Sequence, residues 1–423
     1  MVPARALNAA PVDATPSSHP AIAPALLALL VTFLGLQPLA TDLYLPSLPA
    51  LAADLGVTPA AAQLTLSVFI AAFAIAQLFV GPLSDRFGRR PLVIGGLSLY
   101  VGASLLGALA PSLAWLVLAR GLQAIGVCCT VLCARAIVRD LYEPEAGTRV
   151  MARALGWMTL ITLCGPIAGG LVLQLAGWRA AFATLALIGG AMLAGAARRL
   201  AESNRHRNRE ATRLRPLVAN YAAILRSRDF RAYALVVTGS YCCLFSFISG
   251  SSFVLIRVLD VAPAMYGALF GCVTLGFLPG TLLMRRLQPR LGIAGTVRVG
   301  GLIAAAAGLG MAGLALAGVQ SVPAIVVPMF FVLAAHGVLQ PSCQVGAIAA
   351  FPRNAGSAAA LLGFAMHLAA ALVGWWIGAS HDGSTRPMAL TIGAIGVLTA
   401  TAAWLLARPR GIDDTSRSGP SAN

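Results

Sequence analysis

Two ionisable side chains lie in otherwise apolar sequence: Asp42, in LGLQPLATDLYLPSLPALAADLG, and Arg120, in WLVLARGLQAIGVCC. If the helix around Asp42 stops near Tyr44, the carboxylate sits at a membrane interface. If it continues past Pro46 and Pro49 toward Leu55, the carboxylate lies well inside, and the helical spacing of Leu48, Leu51 and Leu55 favours this second reading. A carboxylate in hydrocarbon is costly when charged, which suits it to loading and releasing a proton. Arg120 falls about seven residues into its helix, roughly 10 Å below the outer edge at 1.5 Å per residue. Arg keeps its proton, so it must face a wet cavity or a counter-charge, the alternative being a side chain that snorkels to the surface. The expectation is a proton-coupling pair, Asp42 and Arg120, linked directly or through water.

Other residues offer less specific chemistry. In GWMTLITLCGPIAGGLVLQLAGW, Gly165-Pro166 and Gly169-Gly170 strip side chains from one helix face, allowing a bend and close packing. Tyr241, Phe245 and Phe247 are candidates, with Asp42, to hold an amphipathic substrate, the alternative being lipid-facing aromatics. His336 and His367 lie in apolar segments and either line a cavity or pack between helices; His19, His206 and His381 fall in a tail or loops. The eight cysteines sit in apolar runs without a CxxC pair and read as packing residues. Metal-ligand spacing such as HExxH is absent, as is a phosphate-cradling Gly-Lys-Ser/Thr loop. No metal, no cofactor and no enzymatic activity are expected.

These residues must be positioned by membrane-spanning helices. The 423-residue chain is 58% hydrophobic and 10% charged, with a mean hydropathy of +0.83, against roughly 25% charged residues in an ordinary soluble domain. Apolar segments long enough to cross a bilayer occur near 22–45, 62–82, 91–110, 113–134, 154–175, 179–197, 232–256, 264–284, 296–317, 322–346, 357–379 and 387–407. All 30 basic residues are Arg, and they concentrate in alternate connections. Arg86, Arg89 and Arg90, then Arg135, Arg139, Arg149 and Arg153, ten more from Arg198 to Arg231, Arg285, Arg286, Arg290, Arg298 and Arg353, and the tail residues Arg408, Arg410 and Arg417 fall on one side; Arg179, Arg257 and Arg386 fall on the other. This bias puts both termini in the cytoplasm. The net charge of +16 therefore sets topology and does not point to nucleic acid. The expected organisation is a tail at 1–20, six helices in 21–200, a polar linker at 201–231 lying solvated against anionic lipid, six helices in 232–407 and a tail at 408–423.

Residues 76–91, AQLFVGPLSDRFGRRP, read as an apolar helix, a short basic turn and a second helix. This turn resembles the signature between helices 2 and 3 of the major facilitator superfamily, matched by Gly81, Asp85, Arg86, Gly88, Arg89 and Arg90. A weak internal repeat agrees: Arg86-Phe87-Gly88 leads to Gly95-Gly96-Leu97, and Arg290-Leu291-Gly292 to Gly300-Gly301-Leu302. The resemblance implies an all-α membrane protein of 12 helices in two pseudo-symmetric bundles, with a binding site near the midplane between them. The Gly-Pro-x-x-Gly-Gly element at 165–170 is similar to that of the superfamily's drug/proton antiporters. With TDLYLPSLPALAADLG, QLTLS, RAIVRDLY, SGSSFV and AGSAAALLGF, the chain resembles the Bcr/CflA branch of drug exporters. What the resemblance implies is a bacterial inner-membrane protein that exchanges protons for small amphipathic molecules of the chloramphenicol or bicyclomycin kind; a monomer is expected, with no feature of the sequence fixing the oligomeric state. It also implies a gating role for residues 81–90, with Asp85 facing the start of helix 11 near Gly356 and Ser357. Some multidrug relatives carry a second membrane acid, where this chain has Leu34. A metabolite exporter, an importer of the same fold and a channel are the rival readings.

Overall fold

The computed structural model describes residues 24–204, 207–208 and 210–405. The expected tails at 1–20 and 408–423, with His19 and His206, lie outside them. The helices are α1 (Pro24–Leu34), α2 (Leu36–Asp42), α3 (Leu48–Asp54), α4 (Pro59–Phe87), α5 (Arg89–Ala108), α6 (Leu113–Leu141), α7 (Pro144–Ala176), α8 (Trp178–Arg199), α9 (Leu214–Arg226), α10 (Arg228–Ser252), α11 (Pro263–Leu275), α12 (Phe277–Leu316), α13 (Val322–Ile348), α14 (Ala355–Ala379) and α15 (Arg386–Leu405). A 3-10 turn, Leu45–Ser47, joins α2 to α3, and π-helical Phe253–Val258 prolongs α10.

Ten helical runs are long and apolar enough to span a bilayer, and α1 with α2–α3, bent by 46°, makes an eleventh. The run Pro263–Leu316 has 54 residues, about 80 Å of helix, too long for one crossing of a core about 30 Å thick. It divides at Gly292, whose φ of 66° and ψ of −177° interrupt α12. Twelve crossings result. Leu175, Leu187 and Leu398, at 86%, 75% and 67% exposure, belong to an outward apolar surface that only lipid can solvate. The protein is a multi-pass, all-helical membrane protein. Successive crossings place the α4–α5 junction, the ends of α6 and α8, all of α9 and the start of α14 at one Arg-rich end.

The basic turn differs from its expected form. Gly81 to Phe87 stay within α4, and the turn is the single residue Gly88. At 29 residues, about 44 Å, α4 outruns the hydrocarbon, so Asp85 and Arg86 are helical yet outside it. Pro82 does not end the helix. It lacks the N–H that the Leu78 carbonyl would receive, and the Tyr221 hydroxyl of α9 donates there instead, at 2.9 Å.

The linker, though mostly exposed, is also docked at its start. Its carboxylate Glu202 accepts the backbone N–H groups of Arg89 at 2.8 Å and Arg90 at 3.3 Å, the open donors at the start of α5. Asn204 donates to the Ser84 and Asp85 carbonyls at 3.2 and 3.0 Å, and the Asn208 N–H to that of Asp85 at 3.0 Å. The helix termini left bare by the one-residue turn explain this docking: they need partners, and the linker supplies them. The second half of the linker folds as α9, and α10 already begins at Arg228.

Gly81 and Gly88 differ in consequence. A Cβ on Gly81 meets nothing within 4 Å, whereas Gly88 has φ of +105° and a Cβ there runs into the Glu202 carboxylate. Gly81→Ala is expected to leave stability unchanged or raise it by up to about 1 kcal/mol, the helix cost of glycine. Gly88→Ala is expected to lose roughly 1–3 kcal/mol through backbone strain. Thermal unfolding of the two detergent-solubilised variants checks the opposite signs.

Candidate functional site

Asp42 is the last residue of α2, and the first crossing continues beyond it through the 3-10 turn into α3. It therefore lies inside the crossing, at a break that the sequence did not resolve. Two prolines follow the break. Pro46 and Pro49 cannot donate to the carbonyls four residues earlier, those of Asp42 and Leu45. The Tyr44 N–H turns to the Thr41 carbonyl at 3.3 Å, so the Ala40 carbonyl that it would bond in an α-helix is left over. Asp42 itself is 3% exposed, with the Thr41 hydroxyl donating to it at 2.9 Å and the Thr162 hydroxyl also bonded to it.

Arg120 is fully buried and takes up that spare carbonyl, donating to Ala40 at 3.0 Å. The same nitrogen donates to Gln123 Oε1 at 2.8 Å, and Gln123 in turn to Ser104 on α5 at 2.7 Å. The guanidinium lies 4.1 Å from the ring centre of Phe69 and 4.9 Å from that of Tyr44, two faces that stabilise a cation deprived of water. No ion pair joins Arg120 to Asp42 among the described residues. The link runs through the backbone, from the guanidinium to a carbonyl two residues before the carboxylate.

The glycines of α7 hold the other side of the break. A Cβ on Gly165 would stand 3.2 Å from that of Asp42, and one on Gly169 would run into the Leu43 carbonyl. One on Gly170 would lie 2.6 Å from the Pro263 carbonyl at the start of α11, while a Cβ on Gly267 would press on Ile167 and Pro166. The bare face thus packs on the Asp42 segment and on the second half of the molecule at once. Pro166 also leaves the Thr162 carbonyl without its helical partner, beside Asp42.

A cavity of about 410 Å³ lies between the halves, with Asp42 at its deep end and Gln344, Ile348 and Ala359 toward the Arg-rich end. Beyond Asp42 the halves close on each other. Ser249 bonds Gln63 and the Gly374 carbonyl at 3.4 and 3.3 Å, and Gly374 and Gly378 abut Ser67 and Gln63 of α4. Tyr241 and Phe245 line the cavity, stacked with ring centres 6.4 Å apart. Phe247 is not among its lining residues: two positions on from Phe245 it points elsewhere and stacks on Phe270 at 5.6 Å.

Both membrane histidines face the cavity and are also hydrogen-bonded. His336 Nδ1 meets Ser240 Oγ at 2.9 Å. His367 Nδ1 is 2.7 Å from the Gly363 carbonyl, which only accepts, so Nδ1 carries the hydrogen. Its Nε2 is then free to accept from the Gln37 amide at 3.2 Å, a bond between the two halves. Gln77, Gln340, Gln344 and Arg135 complete the polar lining. Sequence reasoning passed over all four, counting Arg135 with the loops; yet it lies fifteen residues from Arg120, close to four helical turns, on a related face of α6.

At the Arg-rich end the signature residues bond mainly to one another and to the linker. Arg89, 5% exposed, pairs with Asp85 at 2.7 Å and Asp140 at 3.2 Å and also bonds Ser84. Arg90 donates to the Leu200 and Ala197 carbonyls at 2.8 and 3.2 Å, capping α8, and Arg86 to Thr212 at 2.6 Å. Asp85 and Gly356 are not brought together here. The carboxylate is held by Arg89, and Gly356 is exposed with room around it.

Comparison with known proteins accords with this architecture. Residues 25–374 match the family model described as Major Facilitator Superfamily. The chain is 31% identical over 335 residues to a chloramphenicol resistance protein of Pseudomonas aeruginosa, covering 79% of this chain and 78% of that protein. It is 26% identical over 371 residues to a bicyclomycin resistance protein homolog of Haemophilus influenzae, covering 88% and 93%. A crystal structure of a D-xylose-proton symporter superposes with a TM-score of 0.68 at 19% identity, covering 90% of this chain and 98% of the symporter, a likeness of fold alone.

If the planar guanidinium holds the break in the first crossing, Arg120→Lys, which keeps the charge but loses the fork, should cost about 1–3 kcal/mol through unsatisfied carbonyls. Thermal unfolding of the purified variant measures this, and an unchanged midpoint would show that charge alone suffices.

Proposed function

We propose that this chain, which belongs to the Major Facilitator Superfamily and to its Bcr/CflA type, is a proton-coupled antiporter that exports small amphipathic drugs across the bacterial inner membrane. The observation that carries the reading is Asp42: one carboxylate, buried at a helix break, at the deep end of the central cavity and packed on the Gly165–Gly170 face of α7. A carboxylate in this setting changes its net charge by one proton, and the same proton alters what the cavity can hold. The names of the chloramphenicol and bicyclomycin resistance relatives support export of compounds of that kind.

The Arg-rich end is taken as cytoplasmic on the Arg bias. The cavity then opens inward, where Asp42 gives up its proton and substrate binds. Closure of that end and opening of the other would let substrate leave and Asp42 reload. One proton moving down about 150 mV supplies about 3.5 kcal/mol, enough for a concentration ratio of a few hundred. On closure, Asp85 would exchange Arg89 for the first turn of α14 near Gly356, whose free N–H groups carry partial positive charge. Arg86 and Arg90, with Arg89 on Asp140, keep the junction tied meanwhile. Export of a polar metabolite is the second reading, favoured by the amides of Gln37, Gln77, Gln340 and Gln344 in the cavity.

Drug susceptibility in an efflux-deficient host tests the reading. The wild type should raise tolerance to a chloramphenicol-like compound several-fold and Asp42→Asn should abolish the gain. In vesicles, uptake driven by an imposed acid gradient should vanish in the same variant. Gradient-independent uptake by the wild type would remove proton coupling, and tolerance unchanged across chloramphenicol-like, bicyclic and cationic compounds would favour the metabolite. Asp85→Asn should slow exchange about tenfold with coupling intact; a normal rate would leave that residue a topological role only.

A further inference from the structure

Among the described residues lining the central cavity, two carry a carboxylate or a guanidinium, and they have opposite sign: Asp42 and Arg135. Asp42 ends α2, eighteen residues from Pro24 at the Arg-rich end, whereas Arg135 lies six residues before the end of α6 at that same end. The difference, some twelve residues at 1.5 Å each, sets the two backbone positions about 18 Å apart across the membrane, a gap that the two side chains and a bound molecule can span together. Arg135 is exposed to the cavity, and it makes no hydrogen bond or ion pair among the described residues. The signature residues Arg86, Arg89 and Arg90 at the same end are each engaged with protein groups. A guanidinium cannot neutralise itself by losing its proton, so Arg135 presents a permanent positive charge to the cavity.

We propose that the cavity takes dipolar amphiphiles: molecules with a flat apolar body, an anionic or acceptor end that Arg135 binds and a cationic or donor end that reaches Asp42. The proposal rests on the reading of this cavity as the transport site and adds the class of cargo. With Asp42 ionised the two charges balance. A simple cation must pass Arg135 to enter, and a simple anion meets Asp42 at the far end. A molecule with both groups satisfies both, while Tyr241 and Phe245 cover its ring. Protonation of Asp42 then removes the partner of the cationic end and leaves the cavity with a net positive charge. Release on protonation has the sign that exchange of proton for cargo requires.

A matched ligand series tests this on the purified, full-length protein: 4′-(aminomethyl)biphenyl-4-carboxylic acid, its methyl ester and its N-acetyl derivative. They share one body and differ only in which charge is present. The wild type should bind the zwitterion at least tenfold more tightly than either derivative. Arg135→Gln should weaken the zwitterion and the N-acetyl acid about tenfold and leave the ester unchanged, with Arg135→Lys in between. Asp42→Asn should weaken the zwitterion and the ester and spare the N-acetyl acid. Equal affinities of wild type and Arg135→Gln for all three would overturn the proposal, as would a wild type that prefers the ester. Export driven by a proton gradient in vesicles is measured beside the binding. If gradient-driven export needs Asp42 while Arg135→Gln binds like wild type, the antiport reading stands and the dipolar cargo falls.

Discussion

The bond from Arg120 to the Ala40 carbonyl is the contact on which the site depends. Hydrocarbon offers no water to a bare carbonyl or a bare cation, and either alone would be expensive. At Asp42 the first crossing passes from α-helical to 3-10 hydrogen bonding, and the shift of the Tyr44 N–H to the Thr41 carbonyl strands that of Ala40 in the membrane. A permanently charged side chain on α6 finds that carbonyl, two aromatic faces and a glutamine. Each anomaly lowers the cost of the other, although Arg120 Nη2 is buried without a hydrogen-bond partner among the described residues. Asp42 is held at a defined place by this arrangement without being neutralised, as a direct ion pair with Arg120 would have done.

The segments that resemble drug exporters turn out to be partners of each other. Gln63 of QLTLS meets Ser249 of SGSSFV across the two halves, and Thr65 bonds Tyr44 of TDLYLPS at 2.8 Å. Gln77, beside the signature turn, lies against Gly363 of AGSAAALLGF. The Gly-Pro-x-x-Gly-Gly face contacts the Asp42 segment and the start of α11 together. Small residues recur wherever two backbones must approach, because in lipid it is close packing rather than water exclusion that joins helices.

The architecture was legible in the sequence for a physical reason. A bilayer demands long apolar runs and Arg on alternate connections, and both are local properties that a single chain displays. The depth of Asp42 and the bare face of α7 were legible too, since each is a departure from that pattern. Arg135 was not, because the apolar run ends near residue 134 while α6 continues to Leu141, carrying a charge that reads as a loop into the cavity. Phe247 was chosen by type, and its helical phase turned it away from Tyr241 and Phe245. The docked linker was hidden because its partners are backbone groups left over by a one-residue turn, and no residue type announces those.

The linker has a mechanical consequence. Glu202 and Asn204 fasten one end of it to the first bundle, and Ser227, accepting the Phe230 N–H, caps the first helix of the second. Between these moorings α9 is a rod of 13 residues, about 20 Å long, bonded to Leu78 in one bundle and, through Asn220 and Asn354, to the head of α14 in the other. This 13-residue helix is therefore held against both bundles at once, and a change in their relative tilt at the Arg-rich end would have to be taken up at one of these two contacts.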